Sequence, residues 1–137
     1  TTQDEGFSAT YSTDSLLTCS ECANSNPPLH TERFREPRGV AFTPFGDRAY
    51  VAEGFGHRIV QIDLKPNLAT TLSGSGSIGY LDAPHVESMW STPYGLDVSW
   101  DGINIFVTDS GNHAIRRVNT KDGATTTLSG GGGGPLA

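Results

Sequence analysis

The sequence has few cysteines, few basic residues and no long apolar run. Only 2 of its 137 residues are cysteine, so it is not a disulfide-rich scaffold. Nine Lys and Arg residues face fifteen Asp and Glu residues, giving a net charge of −6. This balance argues against nucleic acid or an anionic membrane as the partner, because phosphate binding needs a basic surface. No apolar run approaches the roughly 18 residues of a membrane span.

The basic residues fall into two small clusters. These are Arg116 with Arg117, and Arg33 with Arg35 and Arg38. We predict that these arginines lie on solvated faces beside strands and do not form a nucleic-acid site.

The two cysteines, Cys19 and Cys22, form a single Cys-x-x-Cys pair. A zinc site of four cysteines needs a second pair, and a thioredoxin-like redox motif needs a strand that leads into a helix. Neither is present in the sequence. In an extracellular setting we expect a local disulfide between Cys19 and Cys22, with free or intermolecular thiols as the alternative.

What the chain does have is an internal repeat. Phe34 falls on Trp90, 56 positions later, and no gap is needed from there to the glycine that ends each Thr-Thr-Leu-Ser-Gly run. Self-similarity at a fixed period is typical of repeat proteins, in which one unit recurs and stacks on its neighbour. The identical pairs include Pro37/Pro93, Gly39/Gly95, Gly46/Gly102, Val51/Val107, His57/His113 and Ile59/Ile115.

Each repeat predicts four short strands, because apolar alternation is interrupted by Gly, Asp and Asn turns. No window keeps a helical period. The predicted strands of the first repeat are Gly39–Thr43, Ala49–Ala52, Arg58–Leu64 and a Thr-rich run; in the second they include Ile105–Thr108 and Ala114–Asn119. Strands of this length and spacing favour a propeller blade, a sandwich or a barrel.

The order of these motifs resembles the NHL repeat, the blade of a family of β-propellers. The motifs are Pro-x-Gly, Asp-Gly, Val-x-Asp-x-Gly-Asn-His-x-Ile and Thr-Thr-Leu-x-Gly, and the second repeat follows them more closely than the first. The resemblance implies an all-β fold with four antiparallel strands per blade. It implies a first blade plus linker over 34–89, a second blade plus Gly-rich end over 90–137, and the tail of an upstream blade plus linker over 1–33. A free N-terminal strand that pairs with another molecule is the alternative for residues 1–33.

Two blades do not close a propeller, which typically needs about 4–8. Exposed strand edges and sheet faces are templates for association. We therefore expect either an excerpt of a longer protein or a unit that other copies complete. We expect the Gly-rich stretches 73–84 and 130–135 to be flexible linkers.

His57 and His113 occupy matched positions in the two repeats, which could indicate a metal site. A residue that recurs once per blade at the same turn is more often a structural device of the repeat. We assign the same structural role to Asp109 and Asn112, whose side chains can bond to backbone in a tight loop.

One group of related propellers is enzymatic. Peptide-amidating lyases resemble NHL propellers and carry zinc on histidines in the middle of the Pro-x-Gly motif. This sequence has Arg38 and Tyr94 at those positions. We therefore predict no enzyme activity, no cofactor and no metal.

The candidate partner-binding residues are Arg38 and Tyr94 at the start of each blade, and Phe45 and Trp100 at the turns. Exposed aromatic and Arg side chains are favoured anchors for partners, although packing between blades explains Phe45 and Trp100 equally well. Ser and Thr residues near Thr10–Ser20 and Thr125–Ser129 allow O-linked glycans.

We therefore expect a non-enzymatic structural or protein-interaction module of an extracellular protein. Its blades would associate with other protein chains or with copies of itself, in a filament or a tandem array. Two alternatives remain: a propeller lyase or hydrolase with its metal site in other blades, and an intracellular regulatory NHL module.

Overall fold

The computed structural model describes residues 33–131, which form eight β-strands and two short 3-10 turns. The strands are β1 (Pro37–Phe42), β2 (Arg48–Glu53), β3 (Arg58–Asp63), β4 (Leu68–Ser73), β5 (Pro93–Val98), β6 (Asn104–Asp109), β7 (Ala114–Asn119) and β8 (Thr125–Gly130). The 3-10 turns are His85–Glu87 and Ser110–Asn112. Cys19 and Cys22, and the predicted segment 1–33 apart from its last residue, lie outside the described residues.

The strands form two antiparallel sheets, with the order β1-β2-β3-β4 in blade 1 and β5-β6-β7-β8 in blade 2. Within each sheet every strand pairs with the one that follows it in sequence, as short turns between neighbouring strands require. The predicted all-β fold of four-stranded propeller blades is confirmed. Strand ends differ from the predicted ones by one or two residues.

The turns between strands are closed by local side-chain bonds. In the first turn of blade 1 the Thr43 hydroxyl donates to Asp47 at 2.5 Å. In the matching turn of blade 2 the Ser99 hydroxyl donates to Asp101 at 2.6 Å. Short polar side chains that bond within a turn are the reason that these residue types interrupt the strands.

The blades pack face to face over one apolar core. The core consists of Tyr50, Ala52, Ile59 and Leu72 from blade 1 with Trp90, Ile105, Val107 and Val118 from blade 2. At the first strands the backbones approach closely: a Cβ added to Gly39 would lie 2.6 Å from the carbonyl oxygen of Tyr94. A glycine is therefore required where β1 meets β5.

The linker between the blades is ordered, so the prediction of a flexible stretch over 73–84 is wrong. Residues 78–90 fold back on themselves through bridges from Ile78 to Trp90 and from Leu81 to Met89. The backbone N–H of Thr125 in β8 donates to the carbonyl of Ala83 at 3.0 Å. The linker is held by blade 2, and glycine content alone did not predict this.

Candidate functional site

Each blade presents one apolar face that the other blade does not cover. We call the side of blade 1 that faces away from blade 2 the leading face; it carries Val40, Phe42 and Ile62, together with Val51 and Val60, which are buried in a small cluster with Phe34. We call the uncovered side of blade 2 the trailing face; it carries Phe106, Ile115 and Leu128. Val40 and Phe42 are exposed on the leading face, as are all three side chains of the trailing face.

The internal repeat shows what these faces look like when they are covered. Tyr50, Ile59 and Leu72, at the blade 1 positions that match the trailing face, are 0%, 0% and 8% exposed. Phe106, Ile115 and Leu128, 56 positions later, are 39%, 42% and 48% exposed. The same positions are therefore core where a second blade packs on them and surface where none does.

The covered interface also contains a cluster of hydroxyl groups around Ser73. The Ser73 oxygen lies 2.9 Å from Ser88 Oγ and 2.7 Å from Thr125 Oγ1. It also accepts a hydrogen bond from the indole N–H of Trp90 at 2.9 Å. All four side chains are buried, so the blades share a satisfied polar cluster and not only apolar contact.

The two repeated histidines have the same backbone conformation but different surroundings. Both lie in the left-handed region, with φ of 52° for His57 and 54° for His113. His57 Nδ1 accepts a hydrogen bond from the backbone N–H of Thr92, at the start of blade 2, at 3.1 Å. The ring of His113 makes no hydrogen bond to residues 33–131. A blade stacked on the trailing face would bring a matching N–H to His113.

Asp109 and Asn112 are both buried and joined to one another. Asn112 Nδ2 donates to Asp109 Oδ2 at 2.7 Å and to the carbonyl of Gly79 at 2.8 Å. Asp109 Oδ1 accepts from the backbone N–H of Ser91 at 2.9 Å. In this position the two side chains connect the β6–β7 loop to the linker.

Arg116 is fully buried, so the prediction that it lies on a solvated face is wrong. Its guanidinium bonds to Asp109 at 2.7 Å and to Asp82 at 2.9 Å. It also donates to the carbonyls of Met89 and Leu81. The group lies between the rings of Trp90 and Tyr80, 4.3 and 4.9 Å from their centroids. Paired carboxylates and stacked rings compensate the cost of burying the charge.

Asp82 remains a carboxylate in this network. Burial would raise its pKa, but hydrogen bonds from Thr127 and Arg116 outweigh that effect and lower the pKa below its usual value. Thr127 donates to Asp82 through both its backbone N–H and its hydroxyl, each at 2.9 Å. The linker is thus attached by charge to β7 and by hydrogen bonds to β8.

The structure brings Arg38 and Tyr94 together at one rim of the blades. The Arg38 guanidinium lies 4.7 Å from the centre of the Tyr94 ring and 5.9 Å from that of Phe55. Glu36 accepts a hydrogen bond from Arg38 at 2.8 Å. Phe55 and Tyr94 are exposed. The positions that carry zinc ligands in the amidating lyases therefore hold a stacked cation and ring.

Phe45 and Trp100 lie at the opposite rim, because each follows the end of the strand that Arg38 or Tyr94 begins. Trp100 is 87% exposed, so it takes no part in packing between the two blades. Phe45 is also exposed, with its ring edge next to Gly102 of blade 2. The four candidate partner-binding residues thus lie at two separate rims of the blades.

A cleft of about 610 Å³ opens between the blades. Its lining is mostly polar and includes Arg48, Gln61, Thr70, Asp101, Thr120 and Lys121. Hydrogen bonds from the Ser99 hydroxyl and the Ile103 N–H lower the pKa of Asp101, while Arg48 is bonded to Asp63 at 2.9 Å. Sequence reasoning did not identify this cleft, because its two walls come from different repeats.

Sequence reasoning also missed Arg116 as a structural residue, although the signal was present. In β7 the alternation places Arg116 on the same side as Ala114 and Val118, both of which are buried. The matching residue in blade 1 is Val60, an apolar residue. An Arg in register with a core position is a sign of a buried charge.

Residues 33–131 contain no cluster of three or more His, Cys, Asp or Glu side chains arranged to hold a metal ion. Within the same range, no helix is long and apolar enough to cross a membrane.

Comparison with known proteins supports the repeat type. NHL repeat-containing protein 2 of Bos taurus and of Homo sapiens are each 31% identical to the chain over 85 residues, 61% of this chain and 12% of theirs. Protein SUPPRESSOR OF QUENCHING 1, chloroplastic, of Arabidopsis thaliana is 28% identical over 117 residues, 80% of this chain and 11% of its own. The chain thus spans about an eighth of these relatives. No family model matches it.

Solved structures show the same fold. An auxiliary nutrient binding protein from Bacteroides thetaiotaomicron matches 66% of this chain and 25% of its own, with a TM-score of 0.57 and 24% identity. A chain of a nidogen/laminin complex matches 69% of this chain and 31% of its own, with a TM-score of 0.54 and 19% identity. The resemblance to NHL-repeat β-propellers is confirmed.

Proposed function

We propose that this pair of NHL-type blades is a non-enzymatic structural and protein-interaction module of an extracellular protein. It works by binding further propeller blades at its leading and trailing faces. The observation that carries the proposal is the difference in burial between two matched positions of the repeat. Ile59 is in the core between the blades, whereas Ile115 is 42% exposed. Covering such a face with another blade removes apolar area from water, which is favourable by roughly 25 cal/mol per Å².

The two faces are complementary in kind. The leading face matches the side of blade 2 that packs on blade 1, and the trailing face matches the side of blade 1 that packs on blade 2. Contacts of this head-to-tail type build rings when the rotation closes and filaments when it does not. The partner can therefore be a second copy of this chain or another protein chain that carries a propeller blade.

Sedimentation equilibrium from micromolar to millimolar concentration tests the proposal. We expect concentration-dependent association that is lost in Phe42→Glu on the leading face and in Ile115→Glu on the trailing face. Ile103→Glu, in the turn between β5 and β6 and 41% exposed, is the matched control, because it lies on neither face, and it leaves association unchanged. A compact monomer throughout the range, or association that survives both charge substitutions, contradicts the proposal.

The non-enzymatic part of the proposal is supported by Arg38 and Tyr94, which stand where the amidating lyases carry histidines. Metal analysis of the purified protein that found stoichiometric zinc would contradict it. The extracellular part is supported by the acidic composition rich in Ser, Thr and Gly, with a net charge of −6. Titration of the native protein with a thiol reagent is expected to find Cys19 and Cys22 oxidised, and two free thiols would favour an intracellular setting.

A further inference from the structure

The leading face of blade 1 and the matching side of blade 2, which packs on blade 1, both carry apolar residues but differ at the outer strand. Three residues of blade 2 make the contact with blade 1: Gly123, Thr125 and Trp90. The blade 1 residues at the same positions are Asn67, Ala69 and Phe34. At each of the three positions the blade 1 residue lacks a property that the interface between the blades uses, either free space or a hydrogen-bonding group.

Gly123 is needed for space. It lies between β4 and the linker with φ of 71°, and a Cβ there would meet the carbonyl oxygen of Leu72 well inside van der Waals contact. Asn67 has the same left-handed backbone, with φ of 73°, but carries a side chain. On a trailing face docked in the same way, the Asn67 Cβ would meet the carbonyl of Leu128, which matches Leu72.

Thr125 and Trp90 are needed for hydrogen bonds. They supply a hydroxyl and an indole N–H to Ser73, which is fully buried. The matching residue on the trailing face is Ser129, which is exposed and makes no side-chain hydrogen bond to residues 33–131. Ala69 and Phe34 have neither group to offer, so Ser129 would be covered without these two partners.

We infer that the trailing face selects a propeller blade with glycine in its outer turn, a hydroxyl residue at the start of its outer strand, and tryptophan before its first strand. The chain's own blade 1 is the poorer partner, so Phe34, Asn67 and Ala69 set the specificity against self-stacking. The inference rests on the proposed function and names the kind of blade that this face fits. Specificity of this type combines favourable contacts with a built-in clash.

The test grafts the blade 2 residues onto blade 1 in the whole chain, as Phe34→Trp/Asn67→Gly/Ala69→Thr. Sedimentation equilibrium is expected to show association tightened about tenfold or more over the unaltered chain, since two hydrogen bonds are gained and one clash is removed. Asn67→Gly alone, which leaves the Phe34 packing intact, is expected to give part of the gain. An unchanged dissociation constant in both variants overturns the inference.

A second substitution distinguishes specific hydrogen bonding to Ser129 from non-specific association. Ser129→Ala is expected to cancel part of the gain in the triple variant and to leave the unaltered chain unaffected, as a double-mutant cycle measures. Equal effects of Ser129→Ala in both backgrounds overturn the inference. Failure of the proposed function has a different signature, because association would then be absent in every variant or would survive Phe42→Glu and Ile115→Glu.

Discussion

Blades 1 and 2 place a carboxylate at the same point but neutralise it differently. Glu53 ends β2 and accepts a hydrogen bond from the backbone N–H of Arg35. Asp109 ends β6 and accepts a hydrogen bond from the backbone N–H of Ser91, which is the residue that matches Arg35. In blade 1 the counter-charge is Arg58, next to Glu53 across the strand pair. In blade 2 it is Arg116, two residues further along β7 and fully buried. Both blades therefore keep a carboxylate that accepts a backbone hydrogen bond from the segment leading into the blade. They differ in the position of the arginine that neutralises this carboxylate.

The position of the cation decides what else it can hold. Arg58 is partly exposed and donates hydrogen bonds to Glu53 and Thr71 within blade 1. Arg116 reaches out of its own sheet to the linker carbonyls and to Asp82. The difference teaches that blade 2 uses its buried charge to fix the linker against the interface with blade 1.

The largest expected effect comes from giving blade 2 the residue of blade 1. Arg116→Val copies Val60 and leaves Asp109 buried without its cation. Breaking a buried ion pair from one side typically costs roughly 3–5 kcal/mol, so the free energy of unfolding in urea is expected to fall by about that amount. Arg117→Val, on the exposed side of the same strand, is the control. A loss below about 1 kcal/mol would show that the network is not holding the fold together.

The next-largest effect compares one position of the repeat in the two blades, where it is buried in blade 1 and exposed in blade 2. Ile59→Ala empties a fully buried site, and such changes cost roughly 2–5 kcal/mol. Ile115→Ala, at the matching exposed site, is expected to cost less than half as much. Urea denaturation of both variants below the concentration at which the chain associates gives the comparison. Equal losses would mean that the trailing face is already covered in the isolated chain.

Sequence patterns predicted the blades because strands and turns are set by local residues. Alternation gave the two faces of each strand, and residues such as Asp101 and Gly102 gave the turns. The linker was not predictable in this way. Its order depends on Arg116 reaching Asp82, 34 positions away, and glycine content describes only the local freedom of the chain.

The candidate site was predictable in part for the same reason. The exposure of Val40 and Phe42 follows from the repeat once it is known that two blades leave two faces uncovered. The contact between Arg38 and Tyr94 could not be read from either motif alone, because it joins the first strands of different blades. Likewise the Ser73 cluster combines residues from β4, the linker and β8.

A smaller effect distinguishes two glycines that share a backbone conformation. Gly123 and Gly46 have φ of 71° and 74°, but only Gly123 is crowded, while nothing lies within 4 Å of a Cβ added at Gly46. Gly46→Ala is expected to cost about 1–2 kcal/mol for the left-handed backbone alone. Gly123→Ala is expected to cost about 1–3 kcal/mol more because of the added clash. Equal losses in thermal unfolding would remove the steric argument made for Asn67.

The smallest effect concerns Tyr50, which has Phe106 as its counterpart in blade 2. Among residues 33–131 the buried Tyr50 hydroxyl has no hydrogen-bond partner of good geometry, so Tyr50→Phe is expected to be neutral or to stabilise the fold by up to about 1 kcal/mol at neutral pH.

The same hydroxyl links stability to pH. Burial raises the pKa of Tyr50 above its ordinary value of 10.0, against an opposing effect of Arg48. The folded state therefore holds this proton more tightly than the unfolded state, and the resulting stability is present below pH 10 and lost as pH rises further. Urea unfolding at neutral pH and above pH 10 is expected to show a smaller loss for Tyr50→Phe than for the unaltered chain. Parallel losses in the two proteins would mean that Tyr50 ionises as freely in the blade interface as it does in water.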